Sequence, residues 1–189
     1  MPRPPKQTKA ETLNKLQQVF SFFGYDGASM QALSAATGLS KASLYHYFPD
    51  GKREMASQVL LAEGKRLQSL VLEPLSRQRG GQGLLQSLSA TAEFYAGDVP
   101  HCLMNSLTIG EGRSLFRAAV NESVGTWRTL LSENYRALGA SAEEADAWAA
   151  YALERLQGAL IMCRLTSSRA PLAQCLSELE GDVRYYLDA

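Results

Sequence analysis

Apolar positions along this 189-residue chain recur at helical spacing, and no segment alternates in the way that predicts a strand. Leu13, Leu16, Phe20 and Phe23 follow at three- and four-residue intervals behind Thr8 and Glu11, a capping-box pair, so a first helix is expected there. Ser29 is placed to cap a second helix carrying Met30, Leu33 and Ala36, and Gly38 supplies the backbone freedom that ends it. Ser40 is placed to cap a third, shorter helix, with Leu44 and Phe48 pointing inward and Lys41, Ser43, Tyr45 and His46 outward. A fourth is expected to start near Gly51 and run through Met55, Val59 and Leu67 towards Leu72, before the glycines of residues 77–83 break it. Further helices are expected near 84–97, 102–110, 113–138, 142–166 and 171–187, divided by Gly, Pro and Ser punctuation.

The segment from Ser29 to Lys52 is the most specific part of this pattern. Two short helices joined by Thr37-Gly38-Leu39 form a helix-turn-helix signature, because such a turn sets the crossing angle that lets the second helix enter a major groove. Lys41, near the start of that helix, can swing to a phosphate or a guanine edge, and Tyr45 can donate its hydroxyl to phosphate while its ring covers sugar or a thymine methyl. Ser43 is short enough to meet a base or phosphate, as is His46, and Gln31 can reach the backbone from the supporting helix. Ser29 and Ser40 would bring their helix N-termini near phosphates. Surface solvation of Lys41 and His46, and full burial of Tyr45, are the competing readings.

The charge distribution supports a polyanionic partner for the first part of the chain. The formal net charge is zero, yet residues 1–66 carry nine Lys/Arg against five Asp/Glu, and the remainder carries ten against fourteen. Residues 2–9, with Arg3, Lys6 and Lys9 among prolines, read either as a basic arm for phosphate or the minor groove or as a solvated tail. Three cysteines without C-x-x-C spacing indicate neither a disulfide framework nor a zinc site, which suits a reducing cytoplasm. No cleavable signal pattern and no apolar run of about 18 residues appears, so no membrane partner is expected.

Catalysis is not indicated. His101 and Cys102 adjoin, but neighbouring helical positions point about 100° apart, an awkward geometry for a nucleophile and its base. No serine elbow, phosphate-binding Gly loop or paired-carboxylate motif is present, and no cofactor or metal is expected. A ligand-binding or interaction module that keeps its helix-turn-helix only for packing stays open as an alternative, and a thiol-dependent activity at Cys102 is a more remote one.

In the last two predicted helices, Ala145, Trp148, Ala152, Leu156, Ala159 and Cys163 make one stripe that Ala149, Leu153 and Leu160 widen, and Leu172, Leu176, Leu179 and Val183 make another. A helix apolar on so much of its circumference must be covered from more than one side. Either a second subunit or an intramolecular core can do this.

Gly24-Tyr25, Ser29 to Leu33, Gly38-Leu39-Ser40-Lys41, Leu44-Tyr45-His46-Tyr47-Phe48-Pro49 and Lys52 together resemble the DNA-binding domain of the tetracycline-repressor (TetR) family over roughly the first sixty residues. Ala42 stands where that family commonly has Gly, and Gly51 lengthens the turn before Lys52 by one residue, as in a subgroup of multidrug-responsive regulators. The resemblance implies an all-α protein: an N-terminal three-helix DNA-binding domain over residues 1–50 and a C-terminal helical effector-binding and dimerisation domain over 51–189. It implies a phosphate contact for Lys52, a double-stranded DNA operator bound as an inverted repeat, and release of a repressor by a small-molecule effector. Cys102-Leu103-Met104-Asn105 resembles the start of the family's sixth helix, so Phe94, Tyr95, Cys102, Met104, Asn105, Trp127, Tyr135 and Met162 are the expected effector-pocket residues. In the family the last two long helices form a four-helix homodimer interface, which here implies Trp148, Ala152, Leu156, Ala159, Leu172, Leu176, Leu179 and Val183.

Overall fold

A computed structural model of the chain describes residues 8–188. Most of the basic arm, including Arg3 and Lys6, lies outside the described residues. The described residues form ten α-helices and no strand: α1 (Lys9–Gly27), α2 (Met30–Thr37), α3 (Lys41–Tyr47), α4 (Gly51–Leu67), α5 (Glu73–Arg77), α6 (Gly81–Phe94), α7 (Leu103–Leu107), α8 (Glu111–Ala137), α9 (Ala142–Thr166) and α10 (Ala170–Asp188). Two compact units result, one of residues 1–63 with 103–117 and one of residues 64–102 with 118–189. The division therefore falls after Glu63 rather than after residue 50, and α7 with the start of α8 joins the first unit.

In the first unit the predicted capping box starts α1: Glu11 N–H donates to Thr8 Oγ1 (3.2 Å) and Thr8 N–H donates to Glu11 Oε2 (2.8 Å). Leu16 and Phe20 are fully buried, but the expected stripe stops before Phe23, which is 53% exposed. Gly24, with a positive φ of 69°, kinks the helix immediately after Phe23, so the side chains beyond it leave the phase of the stripe. The close approach of α7 uses the same site: Ser106 Oγ donates to the carbonyl of Ser21 (2.7 Å), and a Cβ on Gly24 would sit 3.0 Å from the Ser106 carbonyl oxygen. Asp26 then accepts the Glu111 N–H (3.0 Å) at the start of α8. These bonds explain why residues 103–117 belong with α1 despite the eighty residues or so between them.

The second unit is built on α6, α8, α9 and α10. A π-helical turn at Gln68–Leu72 leads into α5, where Pro74 has no N–H to continue an α-helical ladder. α10 packs against both α6 and α9, and Arg155 pairs with Glu178 between α9 and α10. This double contact changes the meaning of the C-terminal stripes. Ala152, Leu156, Leu172, Leu176, Leu179 and Val183 are all buried inside the single chain, and Trp148 and Ala159 are half-buried, Trp148 against Tyr135 (5.6 Å between ring centroids) and Tyr186 (4.7 Å). The eight residues expected to face a partner are thus mainly core, because α6 covers the second side of the α9–α10 pair. The outward face of α9 carries instead Tyr151, Glu154, Gly158, Ile161, Met162 and Leu165.

Asn134 of α8 is wholly buried and joins three backbone segments, donating to the carbonyls of Leu75 (2.9 Å) and Leu130 (2.7 Å) and accepting from Gly80 N–H (2.9 Å). Asn134→Leu leaves the Gly80 donor and Leu75 acceptor unsatisfied in the interior, so it is expected to cost about 2–3 kcal/mol, read as a lowered urea-unfolding midpoint.

Candidate functional site

The first candidate site is the outer face of α3. Ser29 Oγ accepts from Ala32 N–H (3.1 Å) and caps α2, whose end is turned by Gly38 in the left-handed region (φ 72°) with its N–H on Ser34 O (2.9 Å). Thr37 is buried and locks the turn, donating to Leu33 O (2.7 Å) and accepting from Leu39 N–H (3.3 Å); Ala36, expected inside, is exposed instead. Ser40 Oγ caps α3 by accepting from Ser43 N–H (3.1 Å). Leu44 and Phe48 then bury one face completely. Lys41, Ala42, Tyr45 and His46 remain exposed at i, i+1, i+4 and i+5, a single contiguous stripe. Ser29, Gln31 and Ser40 are also exposed, whereas Ser43 is half-buried with its hydroxyl 2.9 Å from that of Ser40. Lys52 stands apart from this stripe: it is half-buried, its Nζ donates to the Tyr25 carbonyl (3.0 Å) and lies 4.3 Å from the centre of the Tyr25 ring.

The second candidate site is a small, partly open pocket lined by α6, α8, α9 and α10, with a cavity volume of about 20 Å³. Leu84, Leu88 and Thr91 of α6 face Trp127, Leu131 and Tyr135 of α8, and Ala152, Leu156, Leu176 and Leu179 complete the wall. Its lining side chains are uncharged. The Ser87 hydroxyl donates to Val71 O (2.8 Å) and that of Thr91 to Ser87 O (2.7 Å), so both protons are already used internally. Burial, reinforced by the negative charge of Asp182, pushes the Tyr135 phenol up to about 12 and keeps it neutral. An uncharged, mostly apolar molecule suits such a lining.

Residues 15–59 match the family described as bacterial regulatory proteins, tetR family, and residues 91–178 match the C-terminal domain described as transcriptional regulator LmrA/YxaF-like. The chain belongs to the TetR family. Over 183 residues it is 21% identical to the uncharacterized HTH-type transcriptional regulator YxaF of Bacillus subtilis (strain 168), covering 94% of this chain and 95% of that protein. The HTH-type transcriptional regulator LmrA of the same organism is 22% identical, with 91% and 96% covered. A TetR regulator from Legionella pneumophila shares the fold with a TM-score of 0.78 at 15% identity over 96% of this chain and all of that one. So does a cysteine mutant of the TetR-family regulator CifR complexed with 26-bp double-strand operator DNA, with a TM-score of 0.72 at 22% identity over 99% and 98% of the two chains.

This TetR-family chain is accordingly a DNA-binding transcriptional regulator, as its relatives are. Among the expected pocket residues, Trp127 and Tyr135 line the cavity and six do not. Phe94 and Tyr95 are buried around the end of α6, where Arg66 stacks 4.3 Å over the Phe94 ring and the Tyr95 hydroxyl contacts Cys102 Sγ (3.7 Å). Met104 and Asn105 belong to the first unit, and Met162 is 46% exposed. The α6 contribution was legible as Leu84, Leu88 and Thr91 at i, i+4 and i+7 opposite an aromatic stripe on α8, a pairing that needs the tertiary partner to be recognised. No helix among the described residues is long and apolar enough to cross a membrane, and no metal-holding cluster of His, Cys, Asp or Glu occurs among them.

The Tyr135 phenol ionises near 10 when unfolded and only near about 12 when folded, so its stabilising contribution is complete below pH 10 and is lost as pH rises towards the folded value. Tyr135→Phe is therefore expected to flatten the fall in unfolding free energy between about pH 10 and 12, measured by urea titration at each pH.

Proposed function

We propose that this TetR-family regulator is a repressor that binds an inverted-repeat operator as a homodimer and is released by an uncharged, largely apolar effector. The observation that carries the reading is the stripe of Lys41, Ala42, Tyr45 and His46 on a seven-residue helix whose opposite face, Leu44 and Phe48, is buried. In this reading Lys41 binds a phosphate, Tyr45 gives its hydroxyl to a second phosphate with its ring over a thymine methyl, and Ala42 is small enough to let the helix settle into the groove. Ser29, Gln31, Ser40, Ser43 and His46 complete the contact from the rims. CifR, which shares the fold, is complexed with operator DNA, which supports the same use of α3 here.

One such helix touches only a few base pairs, so specificity calls for two heads about 34 Å apart on the duplex. The exposed α9 face of Tyr151, Gly158, Ile161, Met162 and Leu165 is our candidate for the dimer contact, with Gly158 permitting close approach. The effector occupies the pocket between α6 and α8–α10 and acts by favouring a dimer whose heads no longer match successive grooves, through α4, which begins just after the reading helix. Its affinity for the two states must differ, since equal binding shifts nothing. The regulator works in the cytoplasm and performs no catalysis.

Removing one phosphate contact per head lowers the number of counterions released. Lys41→Ala is expected to weaken operator binding about tenfold and to reduce the slope of log K against log salt by about 0.9 per half-site, measured by fluorescence anisotropy. Unchanged affinity across the salt series in the folded variant would discard α3 as the reading helix. Ile161→Asp places a charge in the proposed dimer face, so sedimentation is expected to show a monomer and operator affinity to drop by about a hundredfold or more.

A further inference from the structure

We propose that Lys52 is a positioning residue of the reading head: it latches the start of α4 onto Tyr25 and leaves phosphate contact to α3. The inference rests on the operator reading of α3 above and assigns a different role to the lysine that follows the turn.

The local chain path creates the latch. Phe48 is fixed in the core, and Gly51 N–H donates to the Phe48 carbonyl (2.9 Å), closing the turn through Pro49 and Asp50. Gly51 has a positive φ of 65°, a conformation that side-chain-bearing residues rarely adopt. Its bare Cα also forms the seat of the Tyr45 ring, since an added Cβ would lie 3.0 Å from Tyr45 Cε1. One extra residue in this turn therefore does two things at once. It supports Tyr45 from behind, and it rotates the next side chain, Lys52, away from the α3 surface and inward to Tyr25.

Lys52 then makes two interactions with a single residue. Its ammonium donates to the Tyr25 backbone carbonyl (3.0 Å) and stands 4.3 Å from the ring centre, within range of a cation–π contact. That carbonyl belongs to the segment beyond the Gly24 kink, where the regular α1 ladder has been interrupted, so an outside donor has an acceptor to satisfy. Tyr25 is itself packed in: it is buried, stacked on Phe20 (6.5 Å between ring centroids, 11° between planes) and met edge-on by Phe116 (5.4 Å). To reach a phosphate Lys52 would have to surrender both the carbonyl and the ring, whereas exposed Lys41 surrenders nothing the structure shows it to hold. A cation spent in this way fixes the angle between α3 and α4 within the first unit, because only the short turn from Phe48 to Asp50 separates them.

Lys52→Met in the full chain separates the possible roles. The probe is the duplex that the wild-type protein selects from a random pool, compared with an unrelated duplex of equal length, in fluorescence anisotropy over a salt series, with circular dichroism to verify the fold. The latch predicts about a tenfold loss of affinity for the selected duplex, with the affinity for unrelated DNA and the salt slope unchanged. Lys52→Arg, which keeps the charge and can also donate and stack on the Tyr25 ring, should retain most of the wild-type affinity. A salt slope reduced by about 0.9 per half-site, with both duplexes bound more weakly, would identify a phosphate contact and overturn the proposal. Unchanged affinity for the selected duplex in folded K52M would reduce Lys52 to a stabilising role and overturn it equally. Should K52M fail to fold, K52Q keeps a donor for the carbonyl without the charge, and the same slope comparison decides. A wild-type protein that binds no duplex above the unrelated control would reject the operator reading itself, an outcome distinct from any result on Lys52.

Discussion

A seven-residue helix does not persist in water by its own hydrogen bonds, because nucleating it fixes too many dihedrals for the few bonds gained. α3 exists in this protein because Leu44 and Phe48 are driven completely out of water and because Ser40 and Gly38 satisfy and turn the backbone at its start. The rest of the first unit can be understood as what is needed to keep that helix in place. α1 and α2 supply the apolar surface under it, Thr37 ties off the turn, and α7 and the start of α8 brace α1 through Ser106 and Asp26. Only with one face surrendered to packing does the other become a fixed array of Lys41, Ala42, Tyr45 and His46. The same constraint connects packing to specificity: a reading surface is only as well defined as the core beneath it.

The second unit solves the opposite problem, that of enclosing space instead of presenting a surface. α10 packs against α6 and α9, and the aromatic stripe of α8 leaves a pocket against the leucines of α6. Its polar groups are nearly silent: Ser87 and Thr91 spend their protons on backbone carbonyls, and the Tyr135 phenol stays neutral far into the alkaline range. Charge is kept to the outside of the unit, in pairs such as Arg155 with Glu178 and Arg136 with Asp146. A charged ligand placed there would have to give up its hydration without any counterion in the wall.

Local chemistry was the readable part of the chain. The capping box at Thr8/Glu11, the caps Ser29 and Ser40 and the left-handed Gly38 are interactions among residues a few positions apart, and all lie where the spacing placed them. α9 has the expected bounds, 142–166, for the same reason. The errors lie where the outcome depends on distant partners. Phe23 continues the stripe of α1 in the sequence but is exposed, at the last position before the kink at Gly24, and Met104 and Asn105, expected in a pocket, pack in the first unit.

Periodicity reports how much of a helix must be covered and is silent on what covers it. The wide stripes of α9 and α10 therefore established burial, yet the choice between a second subunit and the chain's own α6 was made by tertiary packing, which turned Leu156, Leu176 and Leu179 into pocket wall. Lys52 shows the same limit at the scale of one side chain. Its charge and its place after the turn are written in the sequence, as is the extra Gly51 before it. Where the ammonium points depends on a carbonyl and a ring 27 positions earlier, brought alongside only by folding. The sequence by itself thus determined the helices, their caps and the polar complement of the reading helix, since those are set by neighbours along the chain. The partners across the fold, and with them the pocket and the role of the lysine, were decided by the tertiary structure, because that alone brings remote surfaces into contact.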